Sequence, residues 1–484
     1  MVSLITTFRS PAFYIAGTVA ICCGLEVLPI EAVRIGAVLA LTLQIIYEQR
    51  AGSNQYLTAP LFILATISLI FFSAVFNVLE TPIMRTGAHY LEQGGRVIVT
   101  ASSIRLPLHT LETFYGSEAE RVLVVFGLCC LAVHSVISEK GASRTESKNL
   151  LKEQAGEGFY LFAGAVLLLT MVNVANSISR KYGGPSSTEI QSLVPPLLSF
   201  SLVFLVYLAV PSTKWRVAII AFLALIITMG LVYVGEAKKP VFIVFAALAY
   251  FLRRKNLSGK SMLIAAGVFV FAVVTVLQGV DLLRTQNRFQ PDVKPVLAST
   301  WVESVMRAKI ILRQAATKYC LQSVIQKHQN QTFSPTKQLF WLKGLVPRAI
   351  WPEKPSLSMG ADYASIYCGD CDNAPPYCMK NLGNQHSASI TLLGQPIIQG
   401  GKIGFLLHGG ILIICLGVLG WVSRRDNHLA TVVIVALLPW LIDFDQDLAM
   451  YVANAVKFFF AMTPLIFLAH RLQSRASQKN VGQG

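Results

Sequence analysis

The chain has 484 residues, of which 54% are hydrophobic and only 14% charged, and its formal net charge is +16. Soluble domains carry roughly 25% charged residues, so this composition excludes a soluble enzyme with a single anchor. The excess of Lys and Arg indicates anionic partners, which for a membrane protein are lipid headgroups or a phosphorylated substrate. The sequence contains no nucleic-acid-binding motif, and we expect no nucleic acid among the partners.

Apolar blocks of about 16 to 23 residues recur along the chain, and each is long enough to cross a hydrocarbon core of about 30 Å. They predict an all-α polytopic membrane protein with about twelve transmembrane helices. The predicted spans are 13–30, 33–47, 57–79, 122–137, 158–179, 193–210, 217–234, 240–252, 262–280, 403–422, 430–442 and 452–468.

Lys and Arg are concentrated in every second short loop, which places these loops and both termini in the cytoplasm. The basic loops are 48–50, 140–152, 214–216, 253–255, 424–425 and 471–479. The first span lacks a small-residue cleavage site, so we interpret it as retained rather than as a signal peptide. Three parts follow: a transmembrane bundle at 1–280 with an external loop at 80–121, a large external loop at 281–402, and the last three spans with a cytoplasmic tail at 403–484.

The large loop contains the string Pro-Arg-Ala-Ile-Trp-Pro-Glu-Lys-Pro at 347–355, whose three prolines exclude a helix and stiffen the chain. Such a loop holds Arg348, Trp351 and Lys354 at fixed positions. The planar fork of Arg binds two phosphate oxygens at once, and Trp offers a flat face on which a sugar ring stacks. The alternative is a structural turn with Trp351 as an interfacial anchor.

Further basic residues border the same side of the membrane. Lys238 and Lys239 begin a span, which is costly unless they meet an anion or the headgroups. Arg284 and Arg288 follow another span at a spacing that puts both on one helix face. Together with Arg348 they predict a site for an anion, while lysines that snorkel to the interface are the alternative.

His386 is the candidate general base, because it lies between this loop and the next span and an imidazole titrates near neutral pH. A structural histidine is the alternative. Asp443, Asp445 and Asp447 form a turn that resembles a metal-chelating DxD pattern. A plain acidic turn, or an acceptor for a hydroxyl proton, fits it as well, and we expect neither a metal nor another cofactor.

Cysteines at 368, 371 and 378 lie in the external loop, where oxidation favours a disulfide. A zinc site completed by His386 is the alternative. Residues 300–327 begin with a capping box and predict an amphipathic helix on the membrane surface or on the mouth of the bundle. A solvated basic face is the competing interpretation of that stretch.

Taken together, these features resemble the O-antigen polymerase (Wzy-type) family of oligosaccharide repeat unit polymerases, which is related to the O-antigen ligases. The resemblance rests on the large external loop, the lysines after Gly235, the Pro-Arg…Trp-Pro-x-Lys-Pro string and a Gly-x-x-Gly at 401–404. It implies a GT-C-like glycosyltransferase of the bacterial inner membrane that works at its periplasmic face. The expected partners are undecaprenyl-pyrophosphate-linked oligosaccharide and membrane lipids, with a chain-length regulator protein as a further candidate.

Two other functions remain open from the sequence. His386-Ser387 is similar to the external His pair of the ligases, so a ligase that moves a finished glycan to a new acceptor is one alternative. A transporter of the lipid-linked oligosaccharide is the other, although the single large loop and the absence of an internal repeat disfavour it.

Overall fold

The computed structural model describes residues 10–51, 55–74, 89–93, 96–100, 117–139, 197–204, 320–328, 330–346, 390–424 and 428–481, together with the isolated positions Ala165, Leu168, Leu169, Val172, Gly267, Trp351, Glu353, Tyr363, Ile366 and Tyr367. Helices dominate these residues. An antiparallel hairpin of β1 (His89–Gln93) and β2 (Arg96–Thr100) is the exception, with His89 opposite Thr100. It lies in the predicted external loop at 80–121.

The helices are α1 (Pro11–Gly24), α2 (Ile30–Arg50), α3 (Pro60–Thr66), α4 (Ser117–Glu139), α5 (Leu342–Leu345), α6 (Thr391–Arg424), α7 (His428–Leu441) and α8 (Leu448–Val481). A π-helix at Ile67–Ala74 continues α3, and 3₁₀ turns lie at Gln55–Thr58 and Pro335–Leu339. Both α1 and α3 begin with proline, whose missing N–H has no partner in a first turn and whose fixed φ suits a helix.

Four described helices are long and apolar enough to cross a membrane: Ile30–Arg50, Glu118–Ser138, Thr391–Arg424 and Leu448–Arg471. Shorter apolar helices lie at Pro11–Gly24, Pro60–Ile70 and Leu429–Leu441. They confirm a membrane protein built of apolar helices, and all coincide with predicted spans. Span 193–210 contributes the helical residues 197–204, while spans 158–179, 217–234, 240–252 and 262–280 fall outside the described residues except at isolated positions. The total of about twelve spans stays a prediction.

Helix α4 is the centre of the described bundle, since it packs against α1, α2, α3 and α6. Small residues at these contacts allow the helix backbones to approach closely. A Cβ added at Gly127 would lie 2.9 Å from the Leu69 side chain, and one added at Gly36 of α2 would lie 2.8 Å from Val19 of α1. Such close approaches are the usual means by which helices associate in lipid, where no water drives them together.

Helix α6 is broken near its start. Gly400 and Gly401 leave the helical conformation, and Gly401 has a φ of 57°, which favours glycine. The segment before the break, 391–399, is buried through its first two turns. The described helix therefore begins at Thr391, before the span predicted to start at 403, and part of the predicted external loop belongs to the bundle. The helical segment after these glycines coincides with the span predicted at 403–422, and the segment 391–399 precedes it across the break.

Candidate functional site

Residues 330–346, which lead into the Pro-Arg string, dock on the break in α6. The buried Gln338 anchors them, because its Nε2 donates to Gln399 O over 3.0 Å and to Ser334 O over 3.2 Å. On the other side, Gly344 lies so close to α8 that an added Cβ would be 2.8 Å from Ala449 O. The segment is therefore wedged between α6 and α8, directly before residue 347.

Two buried polar atoms at this junction have no hydrogen-bond partner among the described residues. They are Gln338 Oε1 and His408 Nε2, and the two residues are each 4% exposed. A buried polar atom without a partner costs about 1–3 kcal/mol, so native proteins seldom keep one without a reason. The hydroxyls of Ser68 and Ser201 also lack partners, but each lies in a helical segment where rotation toward a preceding carbonyl satisfies a serine.

The two atoms lie on the same side of α6. A Cβ added at Gly404 would be 3.5 Å from Gln338 Oε1, and His408 follows Gly404 by one helical turn. The ring of Phe340, two residues beyond Gln338, lies 5.3 Å from the His408 ring at an interplanar angle of 49°. Gln338, Phe340 and His408 thus form one cluster, which we call the break cluster.

The acidic turn between α7 and α8 is bonded to the segment that precedes the break. Leu392 N donates to Phe444 O over 3.1 Å, and Gln395 Oε1 accepts from Ala449 N over 2.9 Å. Within the turn, Gln446 donates to the Asp443 carboxylate. No group of three or more His, Cys, Asp and Glu suited to a metal occurs among the described residues, so the DxD interpretation gains no support there.

Helical residues 320–328 dock on the start of α4. Gln322 Oε1 accepts a hydrogen bond of 2.8 Å from Ala119 N, which satisfies one of the free N–H groups of the first turn. Leu321 and Val324 are fully buried. The described part of the predicted amphipathic helix therefore lies on the mouth of the bundle. Cys320 is disulfide-bonded to a residue outside the described part of the chain.

His328 closes this helix onto Tyr367. Its Nδ1 lies 2.7 Å from Gln331 Oε1, and its Nε2 lies 2.8 Å from the Tyr367 hydroxyl. Burial raises the pKa of Tyr367, so the hydroxyl stays protonated at neutral pH and can donate to Nε2. Lys327 Nζ donates to Ile366 O over 2.7 Å beside it. These contacts hold Ile366 and Tyr367 against the helical residues 320–328.

A second buried polar cluster lies at the other end of α6. His134 Nε2 is 2.6 Å from Glu48 Oε1, and because a carboxylate only accepts, this nitrogen carries the proton. Glu48 also accepts from Gln44 Nε2 over 2.9 Å and from Tyr56 N over 3.1 Å. Both ionisable residues are at most 2% exposed. Arg424 and His134 line one small pocket beside this cluster.

Of the site residues that the sequence predicts, the structure describes Trp351, which is 37% exposed and outside regular structure. The others, and the three loop cysteines, lie outside the described residues: Lys238, Lys239, Arg284, Arg288, Arg348, Lys354, His386, Cys368, Cys371 and Cys378. Sequence reasoning missed Gln338 and His408. The one signal available was a histidine inside an apolar span, between Gly404 and Gly409.

Comparisons with known proteins identify no relative of this chain. No protein-family model, no curated protein and no solved structure matches this chain. The resemblance to repeat-unit polymerases therefore depends on the motifs in the sequence alone.

Proposed function

We propose that this protein is a glycosyltransferase of the bacterial inner membrane that polymerises oligosaccharide repeat units linked to undecaprenyl pyrophosphate. The reaction takes place at the periplasmic face. The hydroxyl of a new repeat unit attacks the anomeric carbon of the growing chain, the new glycosidic bond forms, and the lipid pyrophosphate leaves.

One observation carries this proposal: residues 330–346 are wedged between α6 and α8 and end directly before the Pro-Arg string. Gln338 bonds to Gln399 O at the break, and Gly344 abuts Ala449 on α8. The chain therefore enters the string from a fixed point on the bundle. A fixed entry point supports our proposal that the basic residues of the string bind the charge of a lipid-linked pyrophosphate.

Trp351 and Cys320 support the same location. Trp351 is 37% exposed, so part of its surface is accessible to a ligand. The disulfide at Cys320 is expected outside the cytoplasm, where thiols are oxidised. Both residues belong to the predicted external loop, which is the side that a periplasmic reaction requires.

The residue types suit the chemistry. Pyrophosphate is a good leaving group, and fixed cations stabilise the charge that grows on it as the bond breaks. Arg348, Lys239, Arg284 and Arg288 supply these cations in our proposal. His386 takes the proton from the attacking hydroxyl as general base.

The test is to supply the purified protein in lipid nanodiscs with lipid-linked repeat units extracted from cells that lack its activity. Longer lipid-linked chains support the proposal. Chains transferred to a different acceptor identify a ligase. Unchanged chains that cross a vesicle membrane in the presence of the protein identify a transporter, and either result contradicts polymerisation.

Arg348 provides the sharpest variant of this test. Arg348→Lys keeps the charge but loses the two-oxygen fork, and we expect the rate of chain extension to fall about tenfold or more. The matched control is Lys343→Gln, which removes an exposed cation from the same loop without touching the string. Full activity of Arg348→Ala at normal protein level would exclude Arg348 from the site.

A further inference from the structure

The break cluster combines an acceptor and a ring nitrogen that the fold leaves without partners. The orientation of the Gln338 amide is fixed, because Nε2 donates to both Ser334 O and Gln399 O. A flipped amide would point its oxygen at two carbonyl oxygens. Gln338 Oε1 therefore faces away from them as a pure acceptor without a donor.

A hydroxyl group suits this pair better than an ion does. An anion such as phosphate would meet the acceptor oxygen of Gln338, which repels it. A hydroxyl both donates and accepts, so it can donate to Gln338 Oε1 and accept from His408 Nε2–H when the imidazole carries its proton on Nε2. The Phe340 ring beside His408 adds an apolar face of the kind that packs against the C–H groups of a sugar.

The cluster lies close to residues that reach solvent. Lys337 and Leu339, on either side of the buried Gln338, are both exposed. All three residues belong to the 3₁₀ turn Pro335–Leu339. Between Gly401 and His408 the helix rises about 10 Å, so His408 lies about two turns beyond the break.

We propose that Gln338 and His408 bind one hydroxyl group of the acceptor sugar at the break in α6, with Phe340 packed against the sugar ring. This assignment rests on the proposed function and specifies where the acceptor is held. The hydrogen bonds are made by Gln338 Oε1 and His408 Nε2. A buried water has the same donor and acceptor chemistry, so the experiment separates water from sugar.

The probe is the repeat-unit oligosaccharide released from its lipid by mild acid, added to the full-length protein in nanodiscs. Saturation-transfer NMR detects sugar protons that contact the protein, with empty nanodiscs as the blank. Chain extension is measured in parallel as KM and kcat for the acceptor. His408→Phe keeps the ring and removes the nitrogens, and Gln338→Met keeps the length and removes the amide. Ser201→Ala is the control, because it removes a buried polar group from the helical residues 197–204, outside the break cluster.

We expect His408→Phe and Gln338→Met to raise the acceptor KM about tenfold, which corresponds to about 1.4 kcal/mol, and to weaken the NMR signal, while kcat changes little. Ser201→Ala should change none of these. Should Gln338→Met fail to fold, His408→Phe carries the test by itself. An unchanged KM and NMR signal in His408→Phe would identify a structural water and overturn the assignment. If the NMR signal of the wild type depends on His408 but the protein extends no chain, the proposed function is wrong and the sugar site is still supported.

Discussion

Two buried polar clusters that lie along α6 differ in whether their hydrogen bonds are satisfied. Near its C-terminal end, Glu48 and His134 are bonded to each other, and further donors complete the carboxylate. At the break cluster, Gln338 Oε1 and His408 Nε2 have no partner among the described residues. The hydrogen bonds of one buried cluster are thus satisfied, and those of the other are not. Satisfied buried networks specify a fold, whereas unsatisfied ones mark places where another molecule is expected.

The position of the two clusters fits the predicted topology. Arg424 Nη1 donates to Ile137 O over 2.8 Å, and both residues border loops predicted to be cytoplasmic. The acidic turn bonds instead to the residues before the break, on the predicted external side. The satisfied cluster therefore lies on the side with the basic loops, and the unsatisfied one lies on the side where we propose catalysis.

The largest effect is expected from His134→Phe. The ring fits beside Phe62, whose centroid is 5.3 Å from that of His134, but the buried Glu48 carboxylate would lose the hydrogen bond that it accepts from His134 Nε2. Removing one partner of a buried pair costs about 3–5 kcal/mol. The free energy of unfolding in mixed detergent micelles measures this loss.

The control for this variant is His470→Phe, because His470 is exposed near the end of α8. A surface substitution of this kind changes stability by about 0.5 kcal/mol or less. Equal stabilities for the two variants would mean that the Glu48–His134 pair contributes nothing to the fold.

The next effect is expected from Gly404→Ala, which tests how tightly the break is packed. A Cβ at Gly404 would lie 2.3 Å from Pro396 O, so the segment before the break would have to move. Overpacking of this kind costs about 1–3 kcal/mol. Because Gln338 is bonded to the same segment, we also expect the acceptor KM to rise in the chain-extension assay.

Gly420→Ala is the matched control on the same helix, since nothing lies within 4 Å of the added Cβ. Alanine in an open helix interior gains about 0.5–1 kcal/mol over glycine. The comparison would fail if Gly404→Ala were as stable as Gly420→Ala, because the break would then have room that the structure does not show.

Hydropathy was sufficient to locate the described helices, since the apolar blocks at 122–137, 430–442 and 452–468 coincide with α4, α7 and α8. The break was harder to foresee. The glycines at 400, 401 and 404 indicate a place where the backbone is free, but they do not say whether a helix starts or bends there. Only the packing of 391–399 against the turn after α7 decides between the two.

The clusters themselves were not predictable from spacing. Glu48 and His134 are separated by 86 positions, and Gln338 contacts a carbonyl 61 positions away. No periodic pattern connects residues so far apart, so their contact leaves no signal in the sequence. Trp351 was found because the surrounding prolines form a local motif, which a single chain does reveal.

The smallest effect on stability is expected from His408→Phe, the same substitution as His134→Phe but in the break cluster, near the middle of α6. Here no charge loses a partner, because His408 Nε2 has none in the described structure. Replacing an unsatisfied buried polar group by an apolar one of similar shape is nearly neutral or stabilising, so we expect a change within about 1 kcal/mol, in either direction. Unfolding in the same micelles measures it beside the His134 variant. A loss of stability as large as that of His134→Phe would show that His408 supports the fold through a hydrogen bond of its own. The two clusters would then not differ in the way proposed.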